Sequence, residues 1–169
     1  MATSSMPCCR VKVLRGNGQV LGYLRPPDQS RLGVGPVSSK DALVLNIPEA
    51  CYTNQTLARI RIVAQSEAYF FLSLEHMVES SAMQGRWKLS SEKCTCADSE
   101  YRDWPPSSAV WTVKTSHDCI EELCAVWIEN TGAQVSLPAW INSSSLGSVY
   151  IQTVPSLGEE SVRLVLERF

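Results

Sequence analysis

The sequence predicts an all-β protein, a single antiparallel β-sandwich of jelly-roll type with about ten short strands. Three observations carry this expectation. Apolar residues alternate with polar ones over short runs. Ala58 to Ala64 shows it best, with Ile60 and Ile62 on one face and Arg59 and Arg61 on the other. Gly, Pro, Asn and Ser break the chain every few residues. No helix-period segment exceeds about ten residues, which removes the crossover helices of a parallel α/β sheet.

In chain order, Arg10 to Leu14 and Val20 to Leu24 flank Gly16-Asn17-Gly18, residues that accept positive φ, and so predict a β-hairpin ended by Pro26-Pro27. Asp28 to Ser39 reads as a Gly- and Ser-rich loop. Strands are expected at Ala42 to Ile47, Ala58 to Ala64 and Tyr69 to Leu74, with a short one at Trp87 to Leu89. Met77 to Gly85 fits a short helix or a loop. Ser90 to Ser108 is the longest irregular stretch. Strands resume at Ala109 to Lys114, Cys124 to Glu129, Ala139 to Asn142, Val149 to Thr153 and Val162 to Glu167, and Asp118 to Leu123 fits one helical turn. Alternation assigns Val11, Val13, Leu43, Leu45, Ile60, Ile62, Trp111, Trp127, Leu164 and Leu166 to the core.

The chain has 169 residues, enough for one domain over residues 10–169 behind a flexible N-terminus at 1–9. Charged residues are only 19% and hydrophobic ones 44%, a balance that supports a buried core. No apolar run reaches the ~18 residues of a membrane-spanning helix. Met1 to Pro7 lacks the basic start and apolar stretch of a secretory signal, so a cytoplasmic location is expected. The sequons Asn54-Gln-Thr56 and Asn142-Ser-Ser144 matter only for a secreted chain.

Charge is unevenly spread. Residues 1–40 hold Arg10, Lys12, Arg15, Arg25, Arg31 and Lys40 against Asp28 alone, while eight acids in residues 91–130 face only Lys93, Arg102 and Lys114. Two readings follow: a basic patch for an anionic partner, or the commoner outcome of charges at opposite ends of a sandwich or on neighbouring strands that neutralise each other. Nucleic-acid binding is disfavoured, because no Lys/Arg run alternates with aromatics.

Seven cysteines cannot all pair within one chain. Cys94-Thr-Cys96 and His117-Asp-Cys119, with Cys124 five residues on, offer zinc-type ligands. Their C-x-C and H-x-C spacings differ from the familiar C-x2-C pairs. The alternatives are a disulfide such as Cys96 to Cys119, or unpaired thiols, which the expected compartment favours. No nucleophile elbow, HExxH or phosphate loop is present, and no cofactor beyond that zinc is implied. The two histidines, His76 and His117, give no convincing catalytic pair. An enzyme is therefore the least favoured class.

Gly22-Tyr23-Leu24, Ser30-Arg31-Leu32-Gly33-Val34-Gly35, Asp41-Ala42-Leu43-Val44, Ala109-Val110-Trp111 and Ala139-Trp140-Ile141-Asn142 occur in that order. In this the chain resembles a group of small, largely uncharacterised β-rich proteins of mushroom-forming fungi. It departs from them at Ala139, where Gln is usual, and at Ser143-Ser144-Ser145, where a Thr-Asp-Gly turn is usual. The resemblance implies an all-β fold and no particular reaction. By analogy with the small β-fold lectins of mushrooms, it favours glycan binding in a defence or storage role. A sugar site pairs an aromatic platform with carboxylates and amides, which points to Tyr101, Asp103 and Trp104 in the long irregular stretch, together with Asn142. The alternative for Trp104 is a core plug. The alternative function is a protein-interaction or self-assembling module, a homo-oligomer without small-molecule ligand.

Overall fold

Two runs of alternating residues around Gly16-Asn17-Gly18 form the first hairpin, as expected. The computed structural model describes residues 8–27, 32–35, 38–53, 57–63, 69–77, 86–94, 110–128, 131–144 and 147–169. The hairpin strands are β1 (Cys8–Arg15) and β2 (Val20–Tyr23). A 3-10 turn (Ser39–Asp41) precedes β3 (Val44–Asn46), and Pro48 leads into the short helix α1 (Glu49–Thr53). Then come β4 (Ile60–Ile62), β5 (Tyr69–His76), β6 (Trp87–Cys94), β7 (Val110–Thr115) and β8 (Glu121–Ile128). The last strands are β9 (Gln134–Leu137), β10 (Ala139–Asn142), β11 (Val149–Ile151) and β12 (Glu159–Arg168).

These strands close into a barrel, which corrects the expected sandwich. Eight of them follow one another around the wall in the order β1-β3-β4-β5-β6-β11-β10-β12, and β12 returns to β1. The closing seam is antiparallel and long, running from Cys9 opposite Arg168 to Arg15 opposite Val162. Alternation cannot separate the two architectures, because sandwich and barrel strands share the period of two. What decides is the pairing of the first strand with the last, which leaves neither as an open edge. Lys12 with Glu167 and Arg15 with Glu160 form ion pairs across that seam, each offset by two residues from direct register.

The other strands attach where an edge is shared. β1 gives its Cys8–Arg10 edge to β3 and its Lys12–Leu14 edge to β2, with a bulge between Val13 and Leu14. β12 pairs with β10 through Glu159–Val162, then with β8 at Val165. β8 in turn passes from β12 at Glu122 to β9 over Ala125–Ile128. Pro138 separates β9 from β10, so β7, β8 and β9 peel away from the wall as a three-stranded layer. The layer returns to the barrel at Ala58, whose N–H and C=O both pair with Trp111. Trp111 is fully buried and its Nε1 donates to the Leu72 carbonyl at 3.2 Å. The interior is filled by Val11, Val13, Leu45, Ile60, Leu89 and Ile151, all at 0–1% exposure, so this barrel is packed and not a container.

Nine of the ten expected core residues are buried. Trp127 is the exception at 38% exposure. It shares the face of Leu123 and Ala125, so the alternation is right. By Trp127, however, β8 has left β12 for β9, and the indole leans on Trp87, with ring centroids 5.1 Å apart. Asp118 to Leu123 forms no helical turn. The Cys119 N–H donates to the Ser116 carbonyl with Cys119 at φ 60°, making a tight hairpin turn, and β8 starts at Glu121. Ser90 to Cys94, expected to be irregular, completes β6 by pairing with Tyr69–Ser73. β9 was not expected, since Pro138 and a largely exposed face hide its strand pattern.

Candidate functional site

Of the residues expected to bind a sugar, Tyr101, Asp103 and Trp104 lie outside the described residues. Asn142 ends β10, where its Oδ1 accepts from the Ser144 N–H at 3.0 Å and from the Ser144 hydroxyl at 2.7 Å. This is a local turn that starts the connection to β11. Of the zinc-type ligands, Cys96 and the Cys94 side chain lie outside the described residues. His117 and Cys119 are exposed on the β7–β8 turn. Among the described residues, no group of three or more His, Cys, Asp or Glu is placed to hold a metal ion.

Cys8, Cys9, Cys51, Cys119 and Cys124 are free thiols. Their surroundings differ. Cys9 Sγ lies 2.9 Å from the Tyr52 hydroxyl, and burial pushes its pKa up despite that contact. Burial alone pushes Cys51 up to about 11. Burial likewise raises Cys124. A raised thiol pKa leaves little thiolate at neutral pH, so these three are poor nucleophiles.

Among the described residues the basic and acidic segments do not neutralise each other directly; β12 pairs with both. All five charged residues of this strand are paired: Glu159 with Arg86, Glu160 with Arg15, Arg163 with Glu122, Glu167 with Lys12 and Arg168 with Glu121. β12 thus lies between basic β1 and acidic β8 and answers both. The Arg86–Glu159 pair is the buried one, with side chains 15% and 3% exposed. Glu159 takes both Arg86 NH groups at 3.0 Å, the Ser156 N–H at 2.7 Å and Gln152 Nε2 at 2.6 Å. Burial would raise its pKa, but these donors outweigh burial and hold the carboxyl below the usual carboxylate value. Arg86 also stacks 3.9 Å from the Tyr150 ring centroid. With its acceptors and donors engaged, this network fastens the β11–β12 connection.

The connection from β2 to β3 is built differently. Gly22 has φ +153°, and a Cβ there would run into the Gly35 carbonyl. A Cβ on Gly35 would in turn meet the Arg25 side chain at its Cγ and Cδ. Two glycines therefore let three layers of chain close up: the end of β2, the 33–35 segment and the stem of Arg25. Backbone hydrogen bonds hold the stack, from Arg25 N–H to the Gly33 carbonyl and from Gly35 N–H to the Tyr23 carbonyl, each at 2.9 Å. On its far side the 33–35 segment pairs with Gly147 and Ser148, in the connection that Asn142 begins.

Beside this stack opens a cleft of about 500 Å³ lined by Tyr23, Arg25, Pro26, Gly35, Ser38, Asp41 and Ala42. Tyr23 is buried and its hydroxyl donates to Glu167 at 3.0 Å, so the aromatic wall is fixed. Arg25 and Asp41 are exposed, and among the described residues neither has an ion-pair partner. The cleft thus combines an apolar wall, a hydroxyl, a carboxylate and a guanidinium. Sequence reasoning missed it because its residues are spread along the single β2–β3 connection, most of which reads as a Gly- and Ser-rich loop. The readable signal was Gly22 within a strand pattern, which marks a close backbone approach. Three segments that stand apart in the sequence, around Gly22-Tyr23, Gly35 and Asp41-Ala42, meet here.

Comparison with protein-family models, with curated proteins and with solved structures finds no match.

Proposed function

We propose that the protein works by binding and not by catalysis, and that it recognises glycan in the manner of a lectin. The cleft at Tyr23, Arg25, Ser38 and Asp41 carries this reading. Its volume of about 500 Å³ falls within the ~300–1,000 Å³ of small-molecule sites. A sugar offers hydroxyls for the carboxylate and the serine, and a C–H face for the apolar wall. The packed interior supports a surface site, since the barrel holds side chains where a carrier would hold its ligand. The resemblance to the mushroom proteins suggests a defence or storage setting.

A glycan array followed by titration calorimetry on the best hit tests the proposal. The expected result is saturable binding that Asp41→Asn weakens at least about tenfold, the loss of charged hydrogen bonds to hydroxyls. Absence of binding to any glycan, with the chain running as a discrete oligomer in light scattering, would transfer support to a self-assembling module.

A further inference from the structure

The cleft carries an inference about ligand class, which rests on the glycan reading. We propose that its ligand is an acidic sugar of the uronic-acid type, whose carboxylate is received by Arg25 while Asp41 and Ser38 take ring hydroxyls.

The first support is the placement of Arg25. Its Cγ and Cδ lie against Gly35, where a Cβ would collide with them. The backbone beneath is tied on both sides, by Arg25 N–H to Gly33 and by Gly35 N–H to Tyr23. A long side chain on a surface normally loses rotamer freedom on binding. Here packing against Gly35 has removed part of that freedom beforehand. The guanidinium is planar and matches a carboxylate with two parallel N–H donors, a match that an ammonium lacks.

The second support is the charge balance. Arg25 and Asp41 line one cleft with opposite charges, and no ion pair joins them. Two such groups left apart suit a ligand that offers one negative group and, some ångströms away, hydrogen-bond donors. A neutral sugar leaves the guanidinium without a matching charge. A phosphorylated ligand brings more than one negative charge towards Asp41, and among the described residues Arg25 is the one lining cation to offset it. A uronic acid brings one carboxylate, several hydroxyl donors and an apolar ring face. The volume of about 500 Å³ leaves room for more than one sugar ring, so recognition of an oligosaccharide end is favoured.

The test is calorimetric titration of the whole chain with digalacturonic acid, with the neutral galactose disaccharide of the same linkage and with a free amino acid, glutamate. Wild-type protein is expected to prefer the acidic disaccharide by about tenfold or more, the range for a hydrogen-bonded charge pair. Raising salt should erode that preference, because the carboxylate site is open to solvent. Arg25→Gln should bring the acidic ligand down to the level of the neutral one, and Arg25→Lys should recover only part of the preference. Asp41→Asn should weaken both sugars. Equal affinity for both disaccharides, or a preference that survives Arg25→Gln, overturns the uronic-acid inference and leaves glycan binding standing. Binding of glutamate and of neither sugar overturns both. Amide NMR shifts confined to residues away from Tyr23, Gly35 and Asp41 would overturn the site even if an acidic sugar binds.

Discussion

Two strands of this barrel share an edge between two partners, and the two junctions are held by different means. At β1 the edge passes from β3 to β2, and the surrounding chain closes through glycines: Gly22 under Gly35, and Gly35 under Arg25. At β12 the edge passes from β10 to β8, and the surroundings close through ion pairs that use every charge on the strand. Each junction leaves a hollow. The one at β12 holds about 140 Å³ and is lined by Leu123, Leu137, Ile151 and Leu164, with the paired Glu122 and Arg163 alongside. The one near β2 holds about 500 Å³ and keeps Arg25 and Asp41 outside any ion pair among the described residues. Charges spent on each other hold a structure. Charges left outside any ion pair are the ones the proposed binding site uses.

The largest expected effect breaks the glycine junction. Gly22→Val places a branched side chain where the Gly35 carbonyl already is, at a φ of +153° that side chains rarely adopt. Overpacking against backbone plus local strain should cost about 3–5 kcal/mol. Urea unfolding monitored by tryptophan fluorescence checks it. A loss under about 1 kcal/mol would mean that the 33–35 segment is not packed as described.

The ion-pair junction should break at Arg86. Arg86→Met leaves Glu159, 3% exposed, without its guanidinium, and removal of one partner of a buried pair costs about 3 kcal/mol or more. The other four pairs are partly exposed and should each contribute under about 1 kcal/mol. The β12 junction therefore depends on one buried network, and the surface pairs chiefly fix register.

Acid sharpens the same contrast. Both Glu159 and Glu167 have carboxyl pKa values held below the ordinary 4.5. For Glu159, burial opposes the lowering and its hydrogen-bond donors outweigh it, with Arg86 first among them. For Glu167 the Lys12 ammonium leads. A group with a depressed folded pKa stabilises the protein above its unfolded value. That stability is lost as pH falls below 4.5 through the folded value. The thermal midpoint should therefore fall from pH 5 downwards, and the fall should be shallower in Arg86→Met, whose Glu159 has lost its main partner. An identical slope in wild type and variant would remove Glu159 from the acid response.

Much of the wall was legible because its rules are local. The β1–β2 hairpin followed from Gly16-Asn17-Gly18 between alternating runs, and the burial of Ile60 and Ile62 followed from their period. Closure was not legible, since Val11 meets Leu166 across nearly the whole chain and no local pattern encodes that pairing. Trp127 shows the limit from another side. Its parity was correct, yet its burial depended on where β8 changes partners. The uneven charge was visible in the sequence, but its resolution needed β12 to lie between β1 and β8. The cleft was least legible of all. It arises from a contact between Gly22 and Gly35, and a glycine announces no partner in sequence.

The smallest expected effect is the most informative about the cleft. Arg25→Gln and Asp41→Asn remove charges that hold nothing together among the described residues, so each should change unfolding free energy by no more than about 0.5 kcal/mol. Glutamine keeps most of the stem that lies on Gly35, and asparagine keeps the shape of aspartate, so packing is preserved and only charge is tested. Together the two substitutions should add, because the side chains do not touch through an ion pair. The comparison with Arg86→Met then becomes quantitative: one guanidinium worth several kcal/mol to the fold, another worth almost nothing to it. If Arg25→Gln instead destabilises the protein by about 2 kcal/mol, Arg25 is part of the frame, and the two junctions do not divide structure from binding.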